Sequence, residues 1–111
     1  MRRSDLGEFE ELVLLTIATQ FPNAYSVVIA EQLEKELKRT ITTGATHAAM
    51  QRLEKKGYLS SKMGEASAAR GGRRKRLYSV TVSGGKILEE VRQVRERLWN
   101  RVVPGAIPEL N

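Results

Sequence analysis

The chain has 111 residues, no cysteine, 41% apolar residues and a formal net charge of +6. This length suits a single domain, and the lack of cysteine excludes both a disulfide framework and a thiolate metal site. The first twenty residues mix basic and apolar positions as a signal peptide does, but four acidic residues interrupt them, and no apolar run approaches the roughly 20 residues of a membrane span. We therefore expect a cytoplasmic protein without a membrane-spanning segment.

The positive charge is concentrated in the middle of the chain. Residues 34–76 hold twelve Lys and Arg against four Asp and Glu, whereas residues 1–33 are net acidic and residues 77–111 nearly balanced. Such a local excess is typical of a surface that contacts a polyanion, either nucleic acid or an anionic membrane. A membrane is the weaker interpretation, because no apolar helix face adjoins the basic run.

Two helices are predicted in the N-terminal part. The stretch GEFEELVLLTIATQF, residues 7–21, is apolar on nearly all sides, so this helix should be buried on more than one face. Its acidic residues fall in the first turn, where they suit the helix dipole, and Pro22 ends it. The second helix is predicted over Tyr25–Lys38, with Ile29, Leu33 and Leu37 on one face.

A third helix should follow a short turn. Thr42 is a favourable N-cap, and Gly57 supplies the left-handed residue that often ends a helix. The residues expected on its inner face are Ala45, Ala49, Met50 and Leu53. Those expected to point outward or toward its edges are Thr43, Thr46, His47, Ala48, Gln51, Arg52 and Lys55.

Two strands and a final helix complete the predicted elements. The segments YLSSKM and RLYSV alternate in strand fashion, and a glycine-rich basic stretch separates them, which indicates an antiparallel hairpin with a cationic tip. Thr81 is expected to cap a helix over Val82–Val103, which Pro104 ends. The apolar residues of this helix recur at spacings close to a heptad seam: Ile87, Val91, Val94, Leu98 and Val102.

The order of elements predicts a mainly α fold with a small β-hairpin. A short turn between two helices, followed by a hairpin, describes a winged helix-turn-helix, here extended by a long C-terminal dimerisation helix. The predicted division is a DNA-binding domain over residues 1–81, the dimerisation helix over residues 82–103 and a short tail over residues 104–111.

The third helix and the hairpin tip carry the residues expected to contact double-stranded DNA. Small residues at the start of the helix permit close approach to the major groove, and its N-terminus favours phosphate. The predicted contacts of this recognition helix are Thr42, Thr43, Thr46, His47, Gln51 and Arg52. The tip, which we call the wing, should add Arg70, Arg73, Arg74, Lys75 and Arg76 against phosphates or a narrow minor groove.

Catalysis and metal binding are not predicted. His47 is the only histidine, and no cysteine is available to complete a metal site with it. The glycine-rich run lacks the Gly-Lys-Ser/Thr ending of a phosphate-binding loop, and no nucleophile–base pair can be assigned. We therefore predict a protein that is not an enzyme and has no cofactor.

Trp99 lies beside the heptad seam near the end of the last helix, and two interpretations of it are open. It packs in a dimer interface, or it lines an apolar pocket between two such helices in which a planar ligand stacks. The candidate effector or dimer pocket consists of Trp99, Arg95 and Phe9.

Four stretches of the chain resemble the PadR family of bacterial transcriptional regulators: LGEFEELVLLTIA, AYSVVIAEQLEK, GATHAAMQRLEKKGYLSS and GGRRKRLYSVTVSGGKIL. The last is quite specific, because glycines and basic residues precede a strand and a Thr-x-x-Gly motif. The resemblance covers roughly residues 6–88 and the length matches the short subgroup, which has a single C-terminal helix.

The resemblance implies a homodimer that represses transcription from a pseudo-palindromic operator and is released by a small-molecule effector. In such proteins the last helix packs against the partner's first and last helices. Some relatives bind flat aromatic compounds between subunits, which implies a ligand contact at Trp99.

Two positions depart from the family pattern. His47 stands where many relatives have a tyrosine near the DNA backbone, which makes a phosphate contact there dependent on pH. Tyr25-Ser26 replaces the usual Tyr-Gly. Two other classes of function stay open: a small-molecule binding protein with only nonspecific DNA binding, and a protein-interaction adaptor, which the localised positive charge disfavours.

Overall fold

The computed structural model describes residues 6–64 and 75–108. Its elements are, in chain order, α1 (Glu8–Thr19), α2 (Ser26–Leu37), α3 (Thr43–Lys55), β1 (Leu59–Met63), β2 (Arg76–Val80) and α4 (Val82–Trp99). The two strands pair antiparallel, with Leu59 opposite Val80 and Met63 opposite Arg76. The predicted mainly α fold with a small β-hairpin and a long C-terminal helix is confirmed.

The hydrophobic core lies where the first three helices meet the hairpin and the start of α4. The side chains that this core buries almost completely are Val13, Leu14, Ile17, Ile29, Leu33, Met50, Leu53, Tyr58 and Ile87. On the other side of α1, Leu15 is 44% exposed in the single chain. The helix therefore carries apolar side chains that this core does not cover.

The helix α4 divides into a packed half and an exposed half. Ile87 and Val91 are buried, whereas Leu98 is 55% exposed and Trp99 is 59% exposed. No helix within residues 6–64 and 75–108 is both long and apolar enough to span a bilayer.

The predicted end of the last helix at Val103 was wrong, because α4 ends at Trp99. Beyond it, the amides of Arg101 and Val102 bond to carbonyls three residues back rather than four, at 3.0 and 3.2 Å. Pro104 has no amide hydrogen to continue the helical ladder, and it disfavours the α conformation of Val103. The chain therefore tightens into turns before the proline.

The Thr-x-x-Gly motif joins the hairpin to α4. The hydroxyl of Thr81 donates to the carbonyl of Gly57 at 2.7 Å and accepts from the amide of Gly84 at 3.0 Å, so Thr81 caps the helix as predicted. A Cβ atom at Gly84 would collide with the carbonyl oxygen of Tyr58. Glycine is therefore required where the start of α4 lies against the segment between α3 and β1.

Candidate nucleic-acid interface

The exposed face of α3 is polar and regularly spaced. Thr42 caps the helix, and its hydroxyl accepts from the amide of Ala45 at 3.0 Å. Thr43, His47 and Gln51 follow at intervals of four residues, and all three are exposed. Since side chains four apart lie on the same side of a helix, they form one polar stripe that faces solvent.

The expected outward orientation of Thr46 was wrong. Thr46 is fully buried, and its hydroxyl donates to the carbonyl of Thr42 at 3.2 Å, whereas Ala45 is exposed. Threonine tolerates this burial because its hydroxyl bonds to the helix backbone. Thr46 cannot contact a base from the core, so it leaves the set of candidate contacts.

Arg52 does not point freely into solvent. Its Nε atom lies 2.8 Å from Oε2 of Glu10, whose other carboxylate oxygen accepts from the Nζ atom of Lys56 at 2.8 Å. The side chain of Arg52 is still 53% exposed, so it can also reach a phosphate. Its first role is nevertheless to join α3 to α1.

Sequence reasoning missed Glu10 as a buried charge. The residue is only 4% exposed. Its carboxylate also accepts from the amide of Gly7 at 2.8 Å, as the residue at helix position N3 does in a capping box. Burial acts to raise the pKa of Glu10, but hydrogen bonds from Lys56, the Gly7 amide and Arg52 outweigh it and leave that pKa below its ordinary value. The three-residue spacing between Gly7 and Glu10, which is that of a capping box, was the sequence signal that could have predicted the bond to the Gly7 amide.

The neighbouring residue Glu11 binds the opposite helix. Its Oε1 atom lies 2.8 Å from Nη2 of Arg95 in α4. Two consecutive carboxylates at the start of α1 therefore hold α3 on one side and α4 on the other.

The β2 side of the hairpin is fixed to the turn between α1 and α2. The amide of Tyr78 donates to the carbonyl of Ala24 at 2.8 Å, and the Nζ atom of Lys75 lies 3.5 Å from the centroid of the Tyr25 ring. This cation–π contact holds one predicted wing residue against the body of the protein. The other predicted wing residues Arg70, Arg73 and Arg74 lie outside the described residues.

Arg76 stands next to the C-terminal half of α3. Its Nη1 atom donates to the hydroxyl of Ser61 at 3.0 Å, and that hydroxyl donates to Oε2 of Glu54 at 2.9 Å. Burial and the Glu54 carboxylate raise the pKa of Tyr78 against the opposing effect of Arg76, because both charges lie near that phenol. The structure therefore brings Arg76 to the edge of the polar face of α3.

A second site lies at the far end of α4. A cleft of about 230 Å³ is lined by Arg95, Leu98, Trp99, Val102 and Ile107. Trp99 and Arg95 thus come together as expected, but Phe9 does not join them, because it packs against the hydrophobic core. Ile107 of the tail was not anticipated, because no local signal in residues 104–108 predicts that the tail lies against the helix.

Comparison with known proteins relates this arrangement to one group of solved structures. A scan against protein-family models and a search of curated proteins find no match. A PadR-like transcription factor from Bacteroides fragilis is 23% identical with a TM-score of 0.68, and the match covers 83% of this chain and 84% of that one. A PadR family regulator from Eggerthella lenta is 24% identical with a TM-score of 0.65, covering 94% and 88%.

A PadR-like regulator from Bacillus cereus matches in the same way, at 20% identity and a TM-score of 0.68, over 83% of this chain and 84% of that one. The chain therefore has the fold of the PadR-like transcriptional regulators, a winged helix-turn-helix followed by a long helix. The resemblance carried by the four sequence stretches is confirmed at the level of the fold.

Proposed function

We propose that this protein is a PadR-like, sequence-specific DNA-binding transcriptional regulator that acts in the cytoplasm and is not an enzyme. In this proposal α3 enters the major groove, and the wing contacts phosphates or the minor groove. The observation that carries the proposal is the polar stripe of Thr43, His47 and Gln51, exposed on α3, whose Glu54 is linked through Ser61 to the basic residue Arg76 of the hairpin. The proposed contacts from α3 are thus Thr42, Thr43, His47 and Gln51, with Arg52 at a phosphate. The wing residues Arg70, Arg73, Arg74, Lys75 and Arg76 stay part of the proposed interface.

We further propose that the regulator is a homodimer. Supporting this are the exposed apolar end of α4 and the exposed Leu15 of α1, which lines two clefts of about 230 and 200 Å³. Two copies would present their recognition helices to half-sites about one helical turn, or roughly 34–36 Å, apart. Residues 1–81 would then bind DNA and residues 82–103 dimerise, with residues 104–111 as a short tail, of which Ile107 lines the cleft at Trp99.

The regulatory direction we propose is repression of a pseudo-palindromic operator, relieved by a planar aromatic effector at Trp99. The cleft beside Trp99 is apolar apart from Arg95, which suits an aromatic compound with one anionic group. A reporter driven by the upstream DNA of the gene should be repressed by the protein. Higher reporter output with the protein than without it would contradict repression.

The experiment that tests DNA binding is a fluorescence-anisotropy titration against that upstream DNA, with a composition-matched scrambled duplex as control, at two salt concentrations. Specific binding predicts a large preference for the upstream duplex that persists at the higher salt. Equal and strongly salt-sensitive affinity for both duplexes would contradict sequence-specific regulation from this site.

The cleft at Trp99 favours one alternative, a protein that binds planar aromatic ligands and contacts DNA only nonspecifically. Quenching of the single tryptophan by such ligands, combined with no preference among duplexes, would support it. Quenching combined with release from the operator would instead support the regulator.

A further inference from the structure

Glu54 is an exposed acidic residue on the surface that we propose faces DNA. It lines a groove on α3 together with Gln51, Arg52 and Lys55. A carboxylate there repels phosphate, so by charge alone it weakens DNA binding. Its hydrogen bonds indicate a second effect, which is to orient a basic side chain.

The carboxylate of Glu54 acts on Arg76 through a serine. The hydroxyl proton of Ser61 is donated to Glu54 at 2.9 Å, which turns the lone pairs of the same oxygen toward Nη1 of Arg76 at 3.0 Å. Ser61 is paired with Tyr78 in the hairpin, two residues from Arg76 along β2, so the ladder fixes this spacing.

The bridge orients Arg76 without neutralising it. Between the described residues Glu54 and Arg76 there is no direct ion pair. One N–H group of the guanidinium therefore donates to the serine. The positive charge and the other N–H groups can still bind an anion. A long side chain held in this way loses less conformational freedom when it binds.

We propose that Glu54 and Ser61 are positioning residues that hold Arg76 at the edge of α3 for contact with a DNA phosphate. This inference rests on the proposed DNA-binding function. The expected partner is a phosphate rather than a base, because Arg76 lies in the last strand pair before the wing, opposite Met63, and not on the exposed stripe of α3.

The first test compares two adjacent serines in the full-length protein. Ser61→Ala removes the bridge without changing the charge, whereas Ser60→Ala on the other face of β1 removes only a contact of 3.3 Å with the Ser79 hydroxyl. In anisotropy titrations with the upstream duplex, Ser61→Ala should bind about two- to five-fold more weakly and with a shallower salt dependence. Ser60→Ala should match the wild type, and equal affinities of all three proteins would overturn the proposal.

The second test uses the direction in which DNA affinity changes when Glu54 is removed. If Glu54 only repels DNA, Glu54→Ala must bind more tightly than the wild type; if it positions Arg76, Glu54→Ala must bind more weakly. Glu31→Ala, which removes an exposed acid of α2, gives the general effect of losing one negative charge. Tighter binding by Glu54→Ala than by Glu31→Ala would overturn the proposal.

A double-mutant cycle identifies the residue through which the serine acts. Ser61→Ala should have no further effect in an Arg76→Ala background, whereas an undiminished effect there would overturn the proposal. The scrambled duplex separates this inference from the proposed function. Loss of preference for the upstream duplex would refute specific regulation, while the same variants measured on either duplex still test the positioning of Arg76.

Discussion

The carbonyl of Tyr58 leaves no room for a side chain at Gly84, although the next residue, Gly85, has no neighbouring atom within 4 Å of an added Cβ. Gly84→Ala should therefore lower the free energy of unfolding by about 1–3 kcal/mol, because backbone must move to admit a methyl group. Gly85→Ala should raise it by about 0.5–1 kcal/mol, because alanine is the better helix former. Urea denaturation of the two variants measures both changes.

These adjacent substitutions add the same methyl group to the same turn of α4. Opposite signs are expected only if the close approach to Tyr58 is real. Equal stabilisation by both variants would contradict the close approach of Gly84 to the Tyr58 carbonyl.

The buried carboxylate of Glu10 makes stability depend on pH. Because its pKa lies below the ordinary value of 4.5, the unfolded chain takes up this proton first, and the stabilisation is present above that value and lost as pH falls through the folded pKa. Glu10→Gln should lower the free energy of unfolding by about 1–3 kcal/mol at pH 7, since Arg52 and Lys56 lose their shared anion.

The measurement is urea denaturation of wild type and variant at pH 7 and in steps below pH 4.5. The difference between them should shrink as the solution is acidified. Glu8→Gln is the control, because Glu8 lies in the same first turn but is exposed. A difference for Glu10→Gln that does not change with pH would contradict the role of the carboxylate.

The proposed entry of α3 into the major groove would explain the glycine at position 44, for which the fold itself supplies no reason. This second residue of α3 has no atom within 4 Å of an added Cβ and no positive φ angle, so nothing inside the described part of the chain requires glycine there. Gly44→Gln should keep or raise stability, but it should weaken binding to the upstream duplex by about tenfold or more, as loss of a base contact does.

Gly44→Ala serves as the smaller matched substitution and should weaken DNA binding less than Gly44→Gln does. Anisotropy titration and thermal unfolding on the same samples separate affinity from stability. Full affinity in Gly44→Gln would mean that the start of α3 does not approach DNA closely.

The helices and strands were predictable from the sequence because their signals are local. Thr42 and Thr81 cap the helices that they were expected to cap, and alternation fixed both strands. The predicted buried face of α3 was wrong at one position, because it included the apolar Ala45 instead of Thr46. Positions 46, 49, 50 and 53 follow the helical period better.

Contacts between segments that are distant along the chain could not be predicted from the sequence. The two basic partners of Glu10, Arg52 in α3 and Lys56 directly after it, are more than forty residues away along the chain, and hydropathy gives no reason to bury that carboxylate. The bridge from Arg76 to Glu54 likewise depends on the packing of the hairpin against α3. Such contacts follow from the assembled fold rather than from local propensity.

The molecule is elongated, with extents of 58 × 31 × 21 Å, and the end of α4 exposes Leu98 and Trp99. Exposed apolar side chains clustered on one helix end are typical of an interaction surface, and a second copy of the chain would cover them in the homodimer proposed above. We therefore expect a dimer by multi-angle light scattering, and we expect Leu98→Glu to yield a monomer, because a buried unpaired carboxylate is strongly unfavourable.

Gln93→Glu is the control for this substitution, because it introduces the same charge at an exposed position of α4 outside the heptad seam. It should remain dimeric. The monomer formed by Leu98→Glu should bind a single half-site with unchanged affinity but lose the tighter binding to a two-fold operator, since the linkage between two half-sites is then absent. A dimer that survives Leu98→Glu would place the interface elsewhere on the surface, and the exposed end of α4 would then need another partner.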